Sequence, residues 1–298
     1  MKCFLLLLIG LLFLHDLFSQ NKNRLPAEMN EVSGLEMLND SILIAINDSG
    51  NSSDIFFIDL KGTVLKKCTV SNATNSDWED LAIDDAGNLY IADVGNNLNN
   101  RQDLCIWKVR VEEAFKKDSV MAQKIAFRYE DQTEFPPGKE RFRFDCEAIY
   151  WMNESIRLIT KNRSKRPKND SHGQKLNGWD RFPDDYVIPD EPGNYVAQHV
   201  QPSVPYFKKV KSSGIRDLVT GADYSNGAVA ILTYSGLRIM HLNRSDVGIT
   251  ASRELETHNF KRLEQREAIV FLSERVIAVA SEKHPLLGGP FLTIFTLE

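Results

Sequence analysis

Apolar and polar residues alternate along most of the chain beyond residue 30, and alternation with a period of two predicts strands that face a core on one side. The pattern is clearest at residues 79–93, where "EDLAID" alternates, "DAGN" forms a turn and "LYIAD" returns. The same two-strand unit recurs as "SGLEMLNDSILIAIND" from Ser33, "EAIYWMNESIRLITK" from Glu147, "TGADYSNGAVAILTY" from Thr220 and "EAIVFLSERVIAVAS" from Glu267. Each begins on a polar residue, so Ser33, Glu79, Glu147, Thr220 and Glu267 align. Further apolar runs follow most units, among them "IFFIDL", "LCIWKVRV", "DYVIP" and "LRIMHL". Four antiparallel strands per repeat predict the blade of a β-propeller. The fold class expected is therefore all-β, a propeller of five blades, with six as the alternative because the second, third and fourth starts are widely spaced. The last repeat lacks a fourth strand, which "RLPAEMNEV" near the N-terminus is expected to supply by pairing with "FLTIFTL". Such pairing removes open sheet edges. One short helix is expected around "VEEAFKKDS".

The first 20 residues do not share this pattern. A basic start and the apolar run Cys3–Leu14 predict a secretory signal, since a membrane span needs about 20 apolar residues. The expectation is a single propeller domain over 21–298, secreted, monomeric and without a membrane span. A net charge of −5 offers no nucleic-acid footprint. Beyond the signal, Cys68, Cys105 and Cys146 are odd in number and widely spaced, which predicts buried thiols rather than a disulfide framework.

"WEDLAIDDAGNLYIADVGNN", "CEAIYW…LITKNR" and "REAIVF" resemble secreted bacterial propellers related to the gluconolactonase, NHL-repeat and phytase-like esterase groups. The resemblance implies the propeller fold. In gluconolactonase-like members it also implies a divalent metal at the channel mouth, held by Glu, Asn and Asp of different blades. Here the inner-strand Glu recurs, but a complete Glu/Asn/Asn/Asp set is not matched.

A four-stranded meander puts the long connections, such as "VGNNLNNRQD" and "EKHPLLGG", on one face and the tight turns on the other. Long loops on the rim of a rigid scaffold carry binding or catalysis. Pairing across each hairpin is expected to set Ser33 opposite Asn47, Glu79 opposite Asp93, Glu147 opposite Lys161, Thr220 opposite Tyr234 and Glu267 opposite Ser281. These polar groups either satisfy backbone and water in the channel or gather round a hard cation, which takes 6 to 8 oxygen ligands if it is Ca²⁺. The expected metal ligands are Glu79, Asp93, Glu147 and Glu267, with Ca²⁺ the favoured ion and no organic cofactor. Asn47, Asp48, Asn96, Lys161, Thr220 and Arg266 are the expected ligand contacts. Glu147, Glu267 and His284, with His172 behind them, are candidate acid–base groups. Trp78, Trp151 and Trp179 are read as packing aromatics before sugar platforms. No G-x-S-x-G, H-E-x-x-H or P-loop pattern occurs. The leading function is thus a binding or scaffold protein that takes a small molecule, glycan or protein on its long-loop face. A metal-dependent hydrolase of lactones or phosphoesters is the alternative, followed by a glycosidase using two Glu residues.

Overall fold

Where the sequence alternates, the backbone is extended. In this computed structural model the described residues are 21–164, 183–200, 218–241, 253–260 and 262–297. The expected signal (1–20), His172 and Trp179 lie outside them. The described chain begins with β1 (Asn21–Arg24) and a 3-10 turn at Ala27–Met29. Unit 1 comprises β2 (Val32–Asn39), β3 (Ile42–Asn47), β4 (Asp54–Asp59) and β5 (Val64–Val70). Unit 2 comprises β6 (Trp78–Ile83), β7 (Asn88–Asp93) and β8 (Cys105–Arg110), then α1 (Val111–Lys116), β9 (Ser119–Val120) and β10 (Gln123–Tyr129). Unit 3 contains β11 (Cys146–Trp151), β12 (Ser155–Thr160), β13 (Asp185–Pro189) and β14 (Gly193–Val200). Unit 4 contains β15 (Val219–Ser225), β16 (Ala228–Thr233), β17 (Gly236–His241) and β18 (Arg253–Asn259), and unit 5 contains β19 (Arg266–Ser273), β20 (Val276–Ser281) and β21 (Phe291–Thr296).

The chain is all-β apart from α1 and short 3-10 turns. Within each unit consecutive strands pair antiparallel, turning where the sequence permits a left-handed backbone. At "SNGA", Asn226 and Gly227 both adopt positive φ (50° and 81°), the geometry of a two-residue hairpin. β1 pairs antiparallel with β21, Asn21 opposite Ile294 and Arg24 opposite Phe291. The pairing segment therefore precedes the one expected. Pro26 lacks an N–H to extend the ladder, and the chain turns at Ala27 instead of continuing as a strand to Val32. Two connections depart from a simple meander. β10 pairs in parallel with β14, which joins units 2 and 3 into one eight-stranded sheet, and β9 pairs in parallel with β5.

The first strands β2, β6, β11, β15 and β19 lie side by side, and β19 packs back against β2. Apolar layers fill the spaces between successive units. Ile46 and Phe57 meet Leu81 and Ile91, while Val270 and Leu292 of unit 5 meet Leu35 and Phe56 of unit 1. Each such side chain, fully buried, contributes about 1.5–3 kcal/mol. Trp78 is wholly buried in one layer, and the Trp151 indole donates to Asp190 Oδ2 (2.7 Å); both are packing residues. Cys68, Cys105 and Cys146 are free and buried. Among the described residues no helix is long and apolar enough to cross a membrane.

The inner strands approach closely and are stitched by carboxylates. A Cβ on Gly221 would lie 2.9 Å from the Glu267 carbonyl oxygen. Asp80 Oδ1 accepts the Leu81 N–H (2.9 Å), and its Oδ2 accepts the N–H of Ile149 (2.9 Å) and Ala222 (3.3 Å) from units 3 and 4. Asp223 Oδ2 accepts the Phe271 N–H of unit 5 (2.6 Å), and Glu36 accepts the Met37 N–H (3.1 Å) and bonds the Ile83 backbone of unit 2.

Candidate functional site

One local irregularity repeats in all five units. The register of β2–β3 steps from Val32↔Asn47 to Gly34↔Ile46, leaving Ser33 unpaired, and equivalent steps skip Glu79, Glu147, Thr220 and Glu267. The five aligned polar residues are thus the extra residues of β-bulges, which re-aim a side chain at a strand end. The expected cross-strand pairs are each shifted accordingly. Asn47, Asp93 and Ser281 pair with Val32, Trp78 and Arg266, one position earlier than expected. Lys161 and Tyr234 lie one residue beyond the last paired positions, Thr160 and Thr233.

Four of the residues just beyond those second strands, Asp48, Lys161, Tyr234 and Glu282, share one cavity of about 190 Å³ with Ser33, Glu79, Glu147 and Glu267. On one side the carboxylates of Asp48, Asp77 and Glu79 offer oxygens within 4.8 Å of one another. Gly95 has to lack a side chain here, because a Cβ would collide with Glu79 Oε1 and the Asp77 carboxyl group. Glu79 is 8% exposed, and no hydrogen bond or ion pair reaches its carboxyl group among the described residues. Burial, then the charges of Glu147, Asp48 and Asp77, push the Glu79 carboxyl well above the usual range. Burial and the neighbouring Asp48 raise Asp77 to about 6. Three converging carboxylates, two of them lining a polar cavity, are a donor set suited to a hard divalent cation, with water completing its shell. Asp48, Asp77 and Glu79 are the residues that would hold it.

Unit 3 lines the same cavity with cations. Lys161 Nζ lies 2.7 Å from Glu147 Oε2, and Arg163 lies 3.2 Å from Asp145 and 3.6 Å from Glu147. Burial drives the Glu147 carboxyl up and the ion pair offsets this in part; burial alone would lower Lys161, but the charges of Glu147 and Glu267 outweigh it and hold the ammonium group above its ordinary value. Tyr234 donates to Glu267 Oε1 (3.0 Å). Burial raises Glu267 to about 7, and burial with the charge of Glu267 raises Glu282 to about 8.

Glu79, Glu147, Glu267, Asp48 and Lys161 are therefore brought together, and other expected members are placed elsewhere. Asp93 faces away from the cavity, accepting from Arg101 (2.9 Å), the Asp77 N–H (3.2 Å) and Trp107 (3.4 Å). Unit 2 instead presents buried Val94 at the position after the strand. Asn96 binds Phe144 and Arg101 through its side chain, and Asn47 donates to the Glu28 carbonyl (2.8 Å). Arg266 stacks 3.8 Å over Phe260 and donates to the Arg262 carbonyl, while Thr220 is buried off the cavity wall. His284 Nδ1 accepts the N–H groups of Leu286 and Leu287, which shapes its loop. Sequence reading did not pick out Asp77, Arg163, Gln265 or Glu282. The signal for Glu282 was its equivalence to Asp48, one residue past the end of the second strand.

No protein-family model matches the sequence, and no curated relative does. Several solved structures, all β-propellers, are similar at low identity. The PQQ-bound aldose sugar dehydrogenase of Streptomyces coelicolor shares 12% identity over 93% of this chain and 98% of its own, with a TM-score of 0.49. A gluconolactonase of Xanthomonas campestris shares 13% identity over 90% of this chain and 86% of its own (TM-score 0.43), and the Malassezia sympodialis allergen Mala s 1 shares 11% over 90% and 78% (TM-score 0.45).

Proposed function

We propose that the chain is an exported five-bladed β-propeller, its ring completed by the N-terminal strand, that binds a divalent cation and a small ligand in its channel mouth. Support for the ring comes from five four-strand groups, the β1–β21 pairing, and the return of β19 against β2. The observation that carries the binding reading is Glu79, a buried carboxyl group without a partner among the described residues, converging with Asp48 and Asp77. Confined carboxylates repel unless protonated or bridged, so a cation selective for the folded state stabilises it by mass action. Millimolar Ca²⁺ is expected to raise the wild-type melting temperature, and Glu79→Gln to lose most of that rise while remaining folded in chelator. Identical melting of the wild type in Ca²⁺, Mg²⁺ and chelator overturns the cation site.

Hydrolysis is the second reading, favoured by Glu267. A carboxyl group near 7, held by Tyr234 in the same cavity, exchanges a proton readily at neutral pH. Turnover of lactones or phosphoesters that disappears in Glu267→Gln supports it; equal turnover by both proteins removes Glu267 from the chemistry. Export rests on the apolar run Cys3–Leu14. Replacing Leu7 and Leu8 by Arg is expected to keep the protein inside the cell. Intact Met1 on the exported wild-type protein contradicts a cleaved signal.

A further inference from the structure

We propose that the unit 5 side of the mouth is a subsite for the ammonium group of a primary alkylamine, whether a free amine or a lysine side chain. The inference rests on the mouth being a ligand site and adds the class of ligand. Charge is the starting point. Five carboxyl groups line the cavity (Asp48, Glu79, Glu147, Glu267, Glu282) against two cations, Lys161 and Arg163. Both cations are already engaged, Lys161 by Glu147 and Arg163 by Asp145. A cation on Asp48, Asp77 and Glu79 would serve the unit 1–2 side alone.

Glu267 and Glu282 then still face the cavity with no ion pair among the described residues. Glu267 takes one hydrogen bond from the neutral Tyr234, and no side-chain hydrogen bond to Glu282 is formed among the described residues. The groups around them, half-buried Gln265 and buried Ser33, are neutral as well. An ammonium group supplies what is missing, one positive charge and three donors on a compact head. Lys161 shows that this cavity accommodates such a head, since its ammonium group sits beside Glu147 and 5.6 Å from the Tyr234 ring centre. Independent of unit 5, the unpartnered and 8%-exposed Glu79 carboxyl group lines the same cavity. The raised protonation ranges of Glu267 and Glu282 agree, because a bound cation would bring both down.

Titration calorimetry on the full chain, in Ca²⁺ and in chelator, tests this with n-pentylamine, the neutral n-pentanol and an N-acetyl-Gly-Lys-Gly-amide peptide. Pentylamine or the peptide is expected to bind and pentanol not. Glu282→Gln should weaken amine binding by about tenfold or more, in line with loss of a charge-assisted hydrogen bond. Glu282→Lys places a tethered ammonium group in the subsite, so it should abolish amine binding and raise the melting temperature. Tighter binding of the peptide assigns a lysine side chain as the source, and tighter binding of pentylamine a free amine. Indistinguishable heats for amine and alcohol, or unchanged amine affinity in a folded Glu282→Gln protein, overturn the subsite. The cation reading fails separately: amine binding without any Ca²⁺ response removes the cation and leaves the amine, and the reverse removes the amine alone.

Discussion

Glu79 and Asp80 are neighbours in sequence, both buried, and burial pushes both carboxyl groups upward in protonation range, yet they belong to different regions. Asp80 lies in the girdle that stitches the inner strands and accepts three backbone N–H groups from three units. Glu79 lies in the mouth, where its nearest charges are other carboxyl groups. The same chemical group is therefore a structural clamp in one layer and an unspent binding capacity in the next. What separates them is the partner and not the depth.

The largest effect should come from the girdle. Asp80→Ala leaves the N–H groups of Leu81, Ile149 and Ala222 without their acceptor, a loss expected to cost about 3–5 kcal/mol. Glu79→Gln should change stability in chelator by no more than about 1 kcal/mol, and upward, because it removes like-charge repulsion. Urea denaturation of both variants tests the contrast, and equal losses would abolish it. Next comes the Lys161–Glu147 pair. Lys161→Met strands a buried carboxylate and is expected to cost about 2–4 kcal/mol at pH 8, with part of the loss recovered at pH 5 as Glu147 takes a proton. A loss independent of pH would mean that the lysine acts through packing of its stem.

A third test of the contrast is the pH dependence of the wild type. Asp77, Glu267 and Glu282 have folded-state values raised to about 6, 7 and 8. A raised carboxyl group binds its proton more tightly when folded, so its stabilising contribution is complete below the unfolded value. That contribution is lost as pH rises through the folded one. In chelator the melting temperature should decline from about pH 4.5 to pH 8, and Ca²⁺ should flatten the part due to Asp77. A flat profile in chelator would mean that the mouth carries counter-charges beyond Lys161 and Arg163.

The strands were legible in the sequence because burial on one side writes itself as alternation, and the segments from Ser33, Glu79, Glu147, Thr220 and Glu267 carried the repeat. The girdle was not legible. Asp80 and Asp223 occupy positions where alternation calls for an inward residue, and only the neighbouring strands' N–H groups make a carboxylate tolerable there. The mouth was legible in part. Counting along each hairpin found Glu79, Glu147, Glu267 and Lys161, but the hairpins of units 2 and 5 are one residue longer than that of unit 3, and so the count settled on Asp93 in place of Val94 and on Ser281 in place of Glu282. Asp77 precedes its strand, and only the three-dimensional return of the loop at Gly95 brings it beside Glu79.

The five bulges have a consequence for how such a protein can change. A residue skipped by the ladder has no cross-strand partner whose size or hydrogen bonding it has to match, so its identity is uncoupled from the register around it. Ser33, Glu79, Glu147 and Glu267 amount to four sockets in one frame, whose heads answer to the groups around the cavity, such as Lys161 for Glu147 and Tyr234 for Glu267, and not to the strand ladder. A lineage, or a designer, can then explore new ligands by reassorting these letters of the sequence while the architecture stays still.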